Sequence, residues 1–325
     1  MNVLSLFDGM SCGRNALERA GIPVTNYFAS EIDKYAISVS KLNYPDIVHI
    51  GDVTKVYGGY ISEKIDLLIA GSPCQGFSNA GTGLNFEHKG SKLFFEFVRI
   101  LKEVKPKYFM LENVWMKKEW ANIITQILGV EPIMIDSQLV SAQKRRRYYW
   151  TNIPNVKQPH DLGIYIKDIL LNGDAILRWQ NSKDGAVIDY KSATLRASGG
   201  TDIRKRQRVV LDINDEFLII REATKKGSVI INQGEIFDAH FPESKTRRGR
   251  RMSDKTNCLT ATKIDWQLYL GKGKTRPISP IECERLQNVP DGYTSSVSNT
   301  QRYKMLGNGW NVNTIAHIFK NIPSS

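Results

Sequence analysis

A cysteine stands at the end of an apolar segment, where its thiol would be presented to a ligand rather than buried. The segment IDLLIAGSPCQGFSNAGTGL (65–84) passes from an apolar stretch through Pro73 to Cys74 and then into glycines. Most cysteines behave as small buried hydrophobic residues. Pro73 disfavours a helix through Ser72, and backbone N–H groups or nearby cations at such a position stabilise a thiolate. Cys74 is therefore predicted to be a nucleophile.

A carboxyl group and two guanidinium groups are the predicted partners of this thiol. Glu112 lies in ENV (112–114), at the end of a second strand-like segment, and Arg145 and Arg147 lie in KRRR (144–147). A nucleophile beside a carboxylic acid suits attack on an electron-poor heterocycle, since the carboxyl can bind or protonate a ring nitrogen while sulfur adds to the ring. The glycine-rich segment GFSNAGTGLNFEHKG (76–90) is predicted to be a lid over the substrate.

Strand-like and helix-like segments alternate over the first 150 residues and would position these groups. Strands are predicted in NVLSLF (2–7), NYFASEI (26–32), IVHIGDV (47–53), IDLLIAGSP (65–73) and YFMLENV (108–114), with helices in CGRNALERAG (12–21), KYAISVSKLN (34–43) and KLFFEFVRILKEVKP (92–106). Such alternation predicts an α/β fold with a doubly wound, mostly parallel sheet. In these sheets ligands bind at the carboxyl ends of the strands. One polar residue follows each strand there: Asp8, Glu31, Asp52, Cys74 and Glu112.

The loop after the first strand is a candidate cofactor site. FDGMSCG (7–13) does not match the GxGxxG fingerprint of dinucleotide-binding folds. Gly9 would let the backbone approach a ligand closely, Glu31 stands where an acidic residue binds ribose hydroxyls, and Asp52 could accept from an adenine amino group. A loop with Asp8 and no lysine suits an adenosine ligand without phosphates, such as S-adenosylmethionine. Considered one at a time, each of these residues is explained better by a structural strand–loop–helix unit with capping acids than by cofactor binding.

A second, smaller domain is predicted after residue 155. Alternation is lost, and short β-prone pieces such as GAVIDY, RVVL and SVIINQ are separated by basic and glycine-rich connections. We expect residues 156–275 to form an irregular β-rich domain, and the helical spacing of the last segment to return to the first domain. The predicted division is therefore 1–155 completed by 276–325, with 156–275 as the insertion.

Composition predicts a soluble nucleic-acid-binding protein of a reducing compartment. The 325 residues carry a formal net charge of +12, clustered in 144–147, 204–208 and 245–251, and three basic clusters favour a polyanionic partner. The four cysteines show no CxxC spacing, which argues against a disulfide framework and a metal site. The chain begins without a basic leader or a long apolar run, so we expect a cytoplasmic protein that does not contact membranes.

Five motifs, in order, resemble those of a known family. FDGMSCG, GSPCQGFS, ENV, QKRRR and GNGWNV resemble the motifs of DNA cytosine methyltransferases, which methylate carbon-5. The resemblance covers the first domain and the C-terminal segment. LFFEF and PIMIDSQLVSAQKRRRYYWTNIP further resemble the de novo branch known from animals, although a chain of this length is expected to be a free-standing microbial or viral enzyme.

The resemblance implies a fold, a cofactor and a role for each matching residue. Cys74 would add to carbon-6 of a flipped-out cytosine, Glu112 would hold ring nitrogen-3 and the exocyclic amine, and Arg147 with Arg145 would steady the nucleotide. The fold would be that of S-adenosylmethionine-dependent methyltransferases. Residues matching the cofactor-binding positions are Phe7, Asp8, Gly9, Glu31, Ile32, Asp52, Val53, Leu93, Asn308 and Trp310. No metal is implied.

The resemblance also implies a double-stranded DNA partner and a target-recognition domain in 156–275. Arg204, Arg206, Arg247 and Arg250 could read guanine in the major groove, or contact only phosphates, which position the protein without specifying sequence. Gly309 and Trp310 stand where many bacterial members carry serine and valine. We expect a monomer or weak oligomer. Whether it serves a restriction-modification system with a cognate endonuclease or protects a phage is left open by the sequence.

Two other functions compete with DNA methylation. A tRNA cytosine-5 methyltransferase would use the same chemistry, but the cysteine-containing tripeptide typical of those relatives is absent. A catalytically inactive DNA-binding module is disfavoured by the presence of Cys74, Glu112 and Arg147 together. An adenine-amino methyltransferase is disfavoured because no DPPY-like tetrapeptide occurs.

The basic clusters predict that DNA affinity falls steeply with salt. Each phosphate neutralised by lysine or arginine releases condensed counterions, so the logarithm of the affinity falls linearly with the logarithm of salt concentration. Titration of labelled duplex DNA between low and moderate salt measures the slope. A flat dependence would contradict a basic DNA-binding surface.

Overall fold

A twisted sheet is the framework of the amino-terminal half. The structure is a computed structural model that describes residues 1–72, 89–172, 176, 178, 180–182, 184, 185, 187–189, 210–213, 216–240, 244, 250–261 and 265–323. Within these residues the sheet has seven strands in the order β3-β2-β1-β4-β5-β7-β6. They are β1 (Asn2–Leu6), β2 (Asn26–Ser30), β3 (Val48–His49), β4 (Leu67–Gly71), β5 (Tyr108–Val114), β6 (Pro132–Asp136) and β7 (Arg146–Thr151).

The first five strands are parallel, as the alternation predicts. The helices between them are α1 (Cys12–Arg19), α2 (Lys34–Asn43) and α3 (Lys89–Val104), followed by α4 (Lys118–Leu128). Asp33 caps α2 by accepting from the Tyr35 N–H, and Pro106 lies just beyond the end of α3, where a helix cannot continue. The strand order reverses at β1, so the carboxyl ends of β1 and β4 flank the crevice where ligands bind in such folds.

Alternate residues of the parallel strands pack on opposite faces of the sheet. Val3, Tyr27, Ala29, Leu67 and Ile69 belong to one buried cluster, which α1 and the C-terminal helices cover. Leu4, Leu6, Phe28, Leu68 and Ala70 belong to the other, which α3 and α4 cover. Burial on both faces explains why these strands read as continuous apolar runs.

Two further strands complete the sheet, and only β7 runs against the others. β7 runs antiparallel to β5, with Glu112 opposite Tyr149 and Val114 opposite Arg147, and β6 pairs antiparallel with β7. Because β7 is antiparallel, its first residues lie beside the last residues of β5. The basic run at 144–147 is thereby brought to the same edge as the carboxyl ends of the parallel strands.

Small antiparallel sheets follow in the region predicted to be β-rich. After the short helix α5 (Ile166–Ile169), one sheet has the order β11-β10-β9 and a second has the order β13-β12-β14-β15-β8. Their strands are β8 (Ile188–Asp189), β9 (Val210–Ile213), β10 (Phe217–Arg221), β11 (Ser228–Asn232), β12 (Ile236–Asp238), β13 (Arg251–Met252), β14 (Trp266–Gly271) and β15 (Lys274–Pro277). Leu218, Ile220, Ile231, Phe237 and Tyr269 form their core.

Three helices complete the chain: α6 (Pro280–Leu286), α7 (Asn299–Asn308) and α8 (Val312–Phe319). α8 packs against α1, where Arg19 Nη1 donates to Asn313 Oδ1 at 2.6 Å. Tyr293 OH also donates to the Met10 carbonyl at 2.7 Å. The C-terminal segment therefore packs against α1 and the loop that precedes it. No described helix is long and apolar enough to cross a membrane.

A buried ion pair connects the small sheets to these helices. The side chains of Arg276, on β15, and Glu282, on α6, are both 0% exposed and lie 2.6 Å apart (Nη2 to Oε1). Glu282 also accepts from the backbone N–H groups of Ser279 (2.7 Å) and Leu171 (2.9 Å). One carboxylate therefore fixes three segments.

Replacing Glu282 is expected to destabilise the protein strongly. Glu282→Ala would leave the Arg276 guanidinium buried without its counter-ion, a change that costs about 3–5 kcal/mol in other proteins. Urea denaturation measures the free energy of unfolding. Asp291→Ala is the matched control, because it breaks the partly exposed Arg285–Asp291 pair and should cost less than about 1 kcal/mol. Equal losses in the two variants would contradict this assignment.

Candidate active site

A cavity of about 620 Å³ opens at the carboxyl ends of the parallel strands. Apart from Cys74, every residue predicted for the catalytic and cofactor sites lines it: Phe7, Asp8, Gly9, Glu31, Ile32, Asp52, Val53, Leu93, Glu112, Arg145, Arg147, Asn308 and Trp310. Cys74 and residues 76–88 of the predicted lid lie outside the described residues. The structure thus brings together side chains that are as far as 303 positions apart in the sequence (7 to 310).

The loop after β1 adopts an unusual backbone conformation. Phe7, Gly9 and Ser11 have φ values of 57°, 62° and 64°, a region that residues other than glycine enter at a cost. A Cβ on Gly9 would meet no atom within 4 Å, so the need for glycine there comes from the backbone and not from crowding. Strained residues cluster at functional sites in proteins, which fits the position of this loop on the cavity wall.

Asp8 is a half-buried acid in the loop after β1, on the wall of the cavity. Ser11 Oγ donates to its Oδ2 and Tyr27 OH donates to its Oδ1 (2.7 Å). Burial raises the pKa of Asp8 to about 6, although these hydrogen bonds oppose the shift and nearby Glu31 adds to it. Asp8 is therefore a group whose charge changes near neutral pH.

Two other predicted acids bind the backbone. Glu31 Oε2 accepts from the Gly9 N–H at 2.8 Å, and its Oε1 accepts from the N–H groups of Ile32 and Asp33. Asp52 Oδ1 accepts from the Thr54 N–H and hydroxyl, both at 2.9 Å. The alternative of capping acids, which the sequence left open, thus describes part of what both residues do, while each also faces the cavity. Ile32 presents a 74% exposed apolar side chain beside them.

Glu112 is held between a guanidinium and an indole. Arg147 Nε lies 3.0 Å from Glu112 Oε1, and Trp310 Nε1 donates to Glu112 Oε2 at 3.2 Å. The side chains of Glu112 and Arg147 are only 10% and 14% exposed. The guanidinium forms an ion pair with one carboxyl oxygen and the indole donates a hydrogen bond to the other, so the two contacts together orient the carboxyl at the end of β5.

Its neighbour Asn113 fixes the end of β4. Asn113 Nδ2 donates to Ser72 Oγ at 3.0 Å, and both side chains are buried. Ser72 is the last described residue before Pro73 and Cys74. The ENV sequence thus supplies a carboxyl group and, one residue later, an anchor for the segment that leads to the cysteine.

Arg145 points into the protein rather than into open solvent. It is 3% exposed, and its guanidinium donates to the carbonyls of Leu259 (3.2 Å), Gly307 (3.4 Å) and Gly309 (2.8 Å). A Cβ on Gly307 would lie 2.1 Å from the Thr260 carbonyl oxygen, so the two backbones approach more closely than any other residue would allow. Arg145 therefore joins three chain segments that line the cavity.

Cys258 is a cavity residue that the sequence reading did not single out. Its Sγ accepts from Arg145 Nη1 at 3.2 Å and from Arg147 Nη2 at 3.6 Å. Burial acts to raise the pKa of this thiol, but the charges of Arg145 and Arg147 outweigh it and hold the pKa below its ordinary value. The sequence signal that could have identified Cys258 is the stretch TNCLTATK (256–263), which resembles a motif of the DNA cytosine methyltransferases.

Of the four arginines predicted to contact DNA, only Arg250 lies within the described residues. Arg204, Arg206 and Arg247 lie outside the described residues. The prediction for Arg250 is wrong: its side chain is 1% exposed and donates to the carbonyls of Asp238 and His240, so it stabilises the small sheets. By contrast, the Arg146 side chain is 63% exposed and lines a second, shallower cavity with Lys144 and Arg147.

Comparisons with known proteins agree with this geometry. The family model described as C-5 cytosine-specific DNA methylase matches residues 1–324. The type II methyltransferase M.HhaI of Haemophilus parahaemolyticus is 28% identical over 354 residues, covering 100% of this chain and 95% of the relative. The type II methyltransferase M1.ScrFI of Lactococcus lactis subsp. cremoris is 30% identical, covering 96% and 75% respectively.

A solved structure shows the same fold at low sequence identity. The Entamoeba histolytica methyltransferase EhMeth superposes with a TM-score of 0.64 at 18% identity, covering 99% of this chain and 97% of that one. The expected α/β fold, with its mostly parallel sheet and its small antiparallel sheets, is therefore confirmed. From the nearly complete match of the family model, together with the similarity to type II methyltransferases, it follows that this chain belongs to the C-5 cytosine-specific DNA methylase family.

Proposed function

We propose that this enzyme transfers a methyl group from S-adenosylmethionine to carbon-5 of a flipped-out cytosine in a specific duplex DNA sequence. The observation that carries the proposal is the fixed carboxyl of Glu112, which shares one cavity with the acidic loop after β1. Carbon-6 of a stacked cytosine is inaccessible, so the base must leave the duplex, at a cost of a few kcal/mol.

The chain's own residues bind and orient the base. Glu112 faces the cavity at the end of β5, where it would hold ring nitrogen-3 and the exocyclic amine while the Cys74 thiolate adds to carbon-6. Arg147 fixes the Glu112 carboxyl and would contact the flipped nucleotide. Because Arg145 is 3% exposed and its guanidinium donates to the carbonyls of Leu259, Gly307 and Gly309, we propose that it holds the cavity wall together. Loss of the carbon-5 proton and expulsion of the thiolate would then release the base.

The cavity fits S-adenosylmethionine. Its acidic residues Asp8, Glu31 and Asp52 suit a ligand that carries a sulfonium and an ammonium charge, and the exposed Ile32 side chain offers an apolar surface to an adenine ring. Asn308 and Trp310 also line the cavity. When bound, the cofactor supplies an electrophilic methyl group.

Methylation assays separate DNA from RNA as substrate. Bisulfite sequencing of DNA from cells that express the chain should reveal cytosines methylated in one short sequence, and purified enzyme should label duplex DNA from a tritiated methyl donor. Labelling of tRNA in place of duplex DNA would support the RNA methyltransferase. Absence of labelling on both would support the inactive binding module.

Covalent trapping is expected to identify Cys74 as the nucleophile. Fluorine at carbon-5 cannot leave as a proton does, so DNA with 5-fluorocytosine at the target should remain bonded to the enzyme after methyl transfer. Denaturing gels and intact mass should show the adduct for the native enzyme and none for Cys74→Ser.

Cys258→Ser is the matched control for that experiment. The Cys258 thiol accepts from Arg145 and Arg147, and serine keeps an acceptor for both guanidiniums. We expect this variant to form the adduct. Trapping by Cys74→Ser and none by Cys258→Ser would move the nucleophile to Cys258.

Cofactor affinity should rise with pH through the titration of Asp8. Below about pH 6 the Asp8 carboxyl is protonated and neutral, and above it the carboxylate attracts a cationic ligand. If the bound cation lowers the pKa of Asp8 by about one unit, binding tightens by about fivefold between pH 5 and 7. Calorimetric titration with S-adenosylmethionine measures this dependence.

Two comparisons test the assignment to Asp8. Asp8→Asn should bind the cofactor with little change between pH 5 and 7. S-adenosylhomocysteine, which lacks the sulfonium charge, should show a weaker pH dependence than S-adenosylmethionine with the native enzyme. A native pH dependence that persists in Asp8→Asn would assign it to another group.

A further inference from the structure

Trp310 connects the cofactor side of the cavity to the catalytic carboxyl. Its indole lines the cavity, and its Nε1 donates to Glu112 Oε2 at 3.2 Å. An indole N–H is a donor only, so Oε2 must act here as an acceptor. Since Arg147 Nε forms an ion pair with Oε1 at 3.0 Å, the two contacts together restrict the rotation of the carboxyl plane.

The backbone around Trp310 is built to place the indole. Gly71, the last residue of β4, is paired in register with Glu112 on β5. A Cβ on Gly71 would lie 2.7 Å from Trp310 Nε1, and one on Gly13 would lie 3.4 Å from Trp310 Cζ3. The indole therefore packs against Gly71 and Gly13 and fills the space that side chains would occupy there. Asn311, which follows, caps α8 by accepting from the Thr314 N–H, and this fixes the turn that carries Trp310.

We propose that Trp310 is a positioning residue for Glu112, in addition to its place in the cofactor pocket. The proposal rests on the proposed cytosine methylation. An aliphatic or phenyl side chain at 310 could still pack over Gly71, but it would leave Glu112 Oε2 without its donor. The carboxyl could then rotate about the remaining Arg147 contact, and the base would meet it in several orientations.

A reaction that uses no methyl donor isolates this role. When the Cys74 sulfur bonds to carbon-6, carbon-5 becomes nucleophilic and takes a proton from solvent. Loss of the original carbon-5 hydrogen, with expulsion of the thiolate, regenerates cytosine. DNA labelled with tritium at carbon-5 therefore releases tritium to water with no net change in enzyme or base. A residue that only contacts the cofactor has no effect on this exchange.

Trp310→Phe is the test variant, because it keeps an aromatic ring and removes only the donor end of the indole. We expect tritium release without methyl donor to slow by about tenfold, as for loss of a hydrogen bond to a charged group, while the affinity for S-adenosylhomocysteine changes by less than about threefold. Trp150→Phe is the matched control: it removes an indole donor whose acceptor is Thr125 Oγ1, outside the cavity, and should exchange at the native rate per folded molecule.

Gly71→Ala provides a second route to the same displacement. Its new Cβ would push Nε1 away from Glu112, so the exchange rate should fall as in Trp310→Phe. In the Trp310→Phe background, Gly71→Ala should reduce the exchange rate much less than it does in the native enzyme. Exchange by Trp310→Phe at the native rate would overturn the proposal and leave Trp310 as a cofactor contact. Native enzyme that neither exchanges tritium nor methylates DNA would instead overturn the proposed function.

Discussion

The ion pair between Glu112 and Arg147 is the interaction on which the rest of the site depends. It exists because β7 runs antiparallel to β5, so that the first residues of one strand lie beside the last residues of the other. A parallel strand at this position would carry its basic residues to the opposite edge of the sheet. The reversal of one strand therefore determines whether a guanidinium can fix the carboxyl that faces the cavity.

The site also requires that the C-terminal segment stay packed against the segment that carries Arg145. Arg145 does this from inside, by donating to the carbonyl groups of Gly307 and Gly309. A buried guanidinium is costly unless its donors are satisfied, so the contacts that satisfy Arg145 also oppose any opening of the wall that they form. Trp310 follows directly on this segment, which is how a residue near the end of the chain reaches a strand near its middle.

The sequence predicted the parallel half of the fold well because its signals are local. Apolar runs bounded by polar residues marked β1, β2, β4 and β5, and the helix predicted at 34–43 has those bounds in the structure. Their order along the chain was enough to place Asp8, Glu31 and Glu112 at one edge. β7 was not predicted as a strand, although RRYYWT is rich in the aromatic residues that favour strands, because its leading arginines masked the pattern.

What the sequence could not predict depends on contacts between distant segments. The burial of Arg250, the approach of Cys258 to Arg145 and the bond from Trp310 to Glu112 join residues separated by 10 to 198 positions. An arginine in a basic run has the same local signature whether it contacts DNA or a carbonyl group. Arg146 and Arg147, adjacent in sequence, show this directly: the first side chain is 63% exposed and the second 14%.

The positive and negative charges of the protein act on ligands at different distances. A net charge of +12 attracts a polyanion over about a Debye length, roughly 10 Å at 0.1 M salt, whereas the carboxylates of the cavity act on a ligand already inside it. The environment of Asp8 carries a cost in stability. Its folded pKa of about 6 exceeds its ordinary value of 3.8, so the folded state binds more protons between those values. The free energy of unfolding therefore falls as pH rises through that window. A cation bound beside Asp8 would favour its carboxylate and so offset that cost. The same acid that weakens the empty protein would thus strengthen it when a cation occupies the cavity.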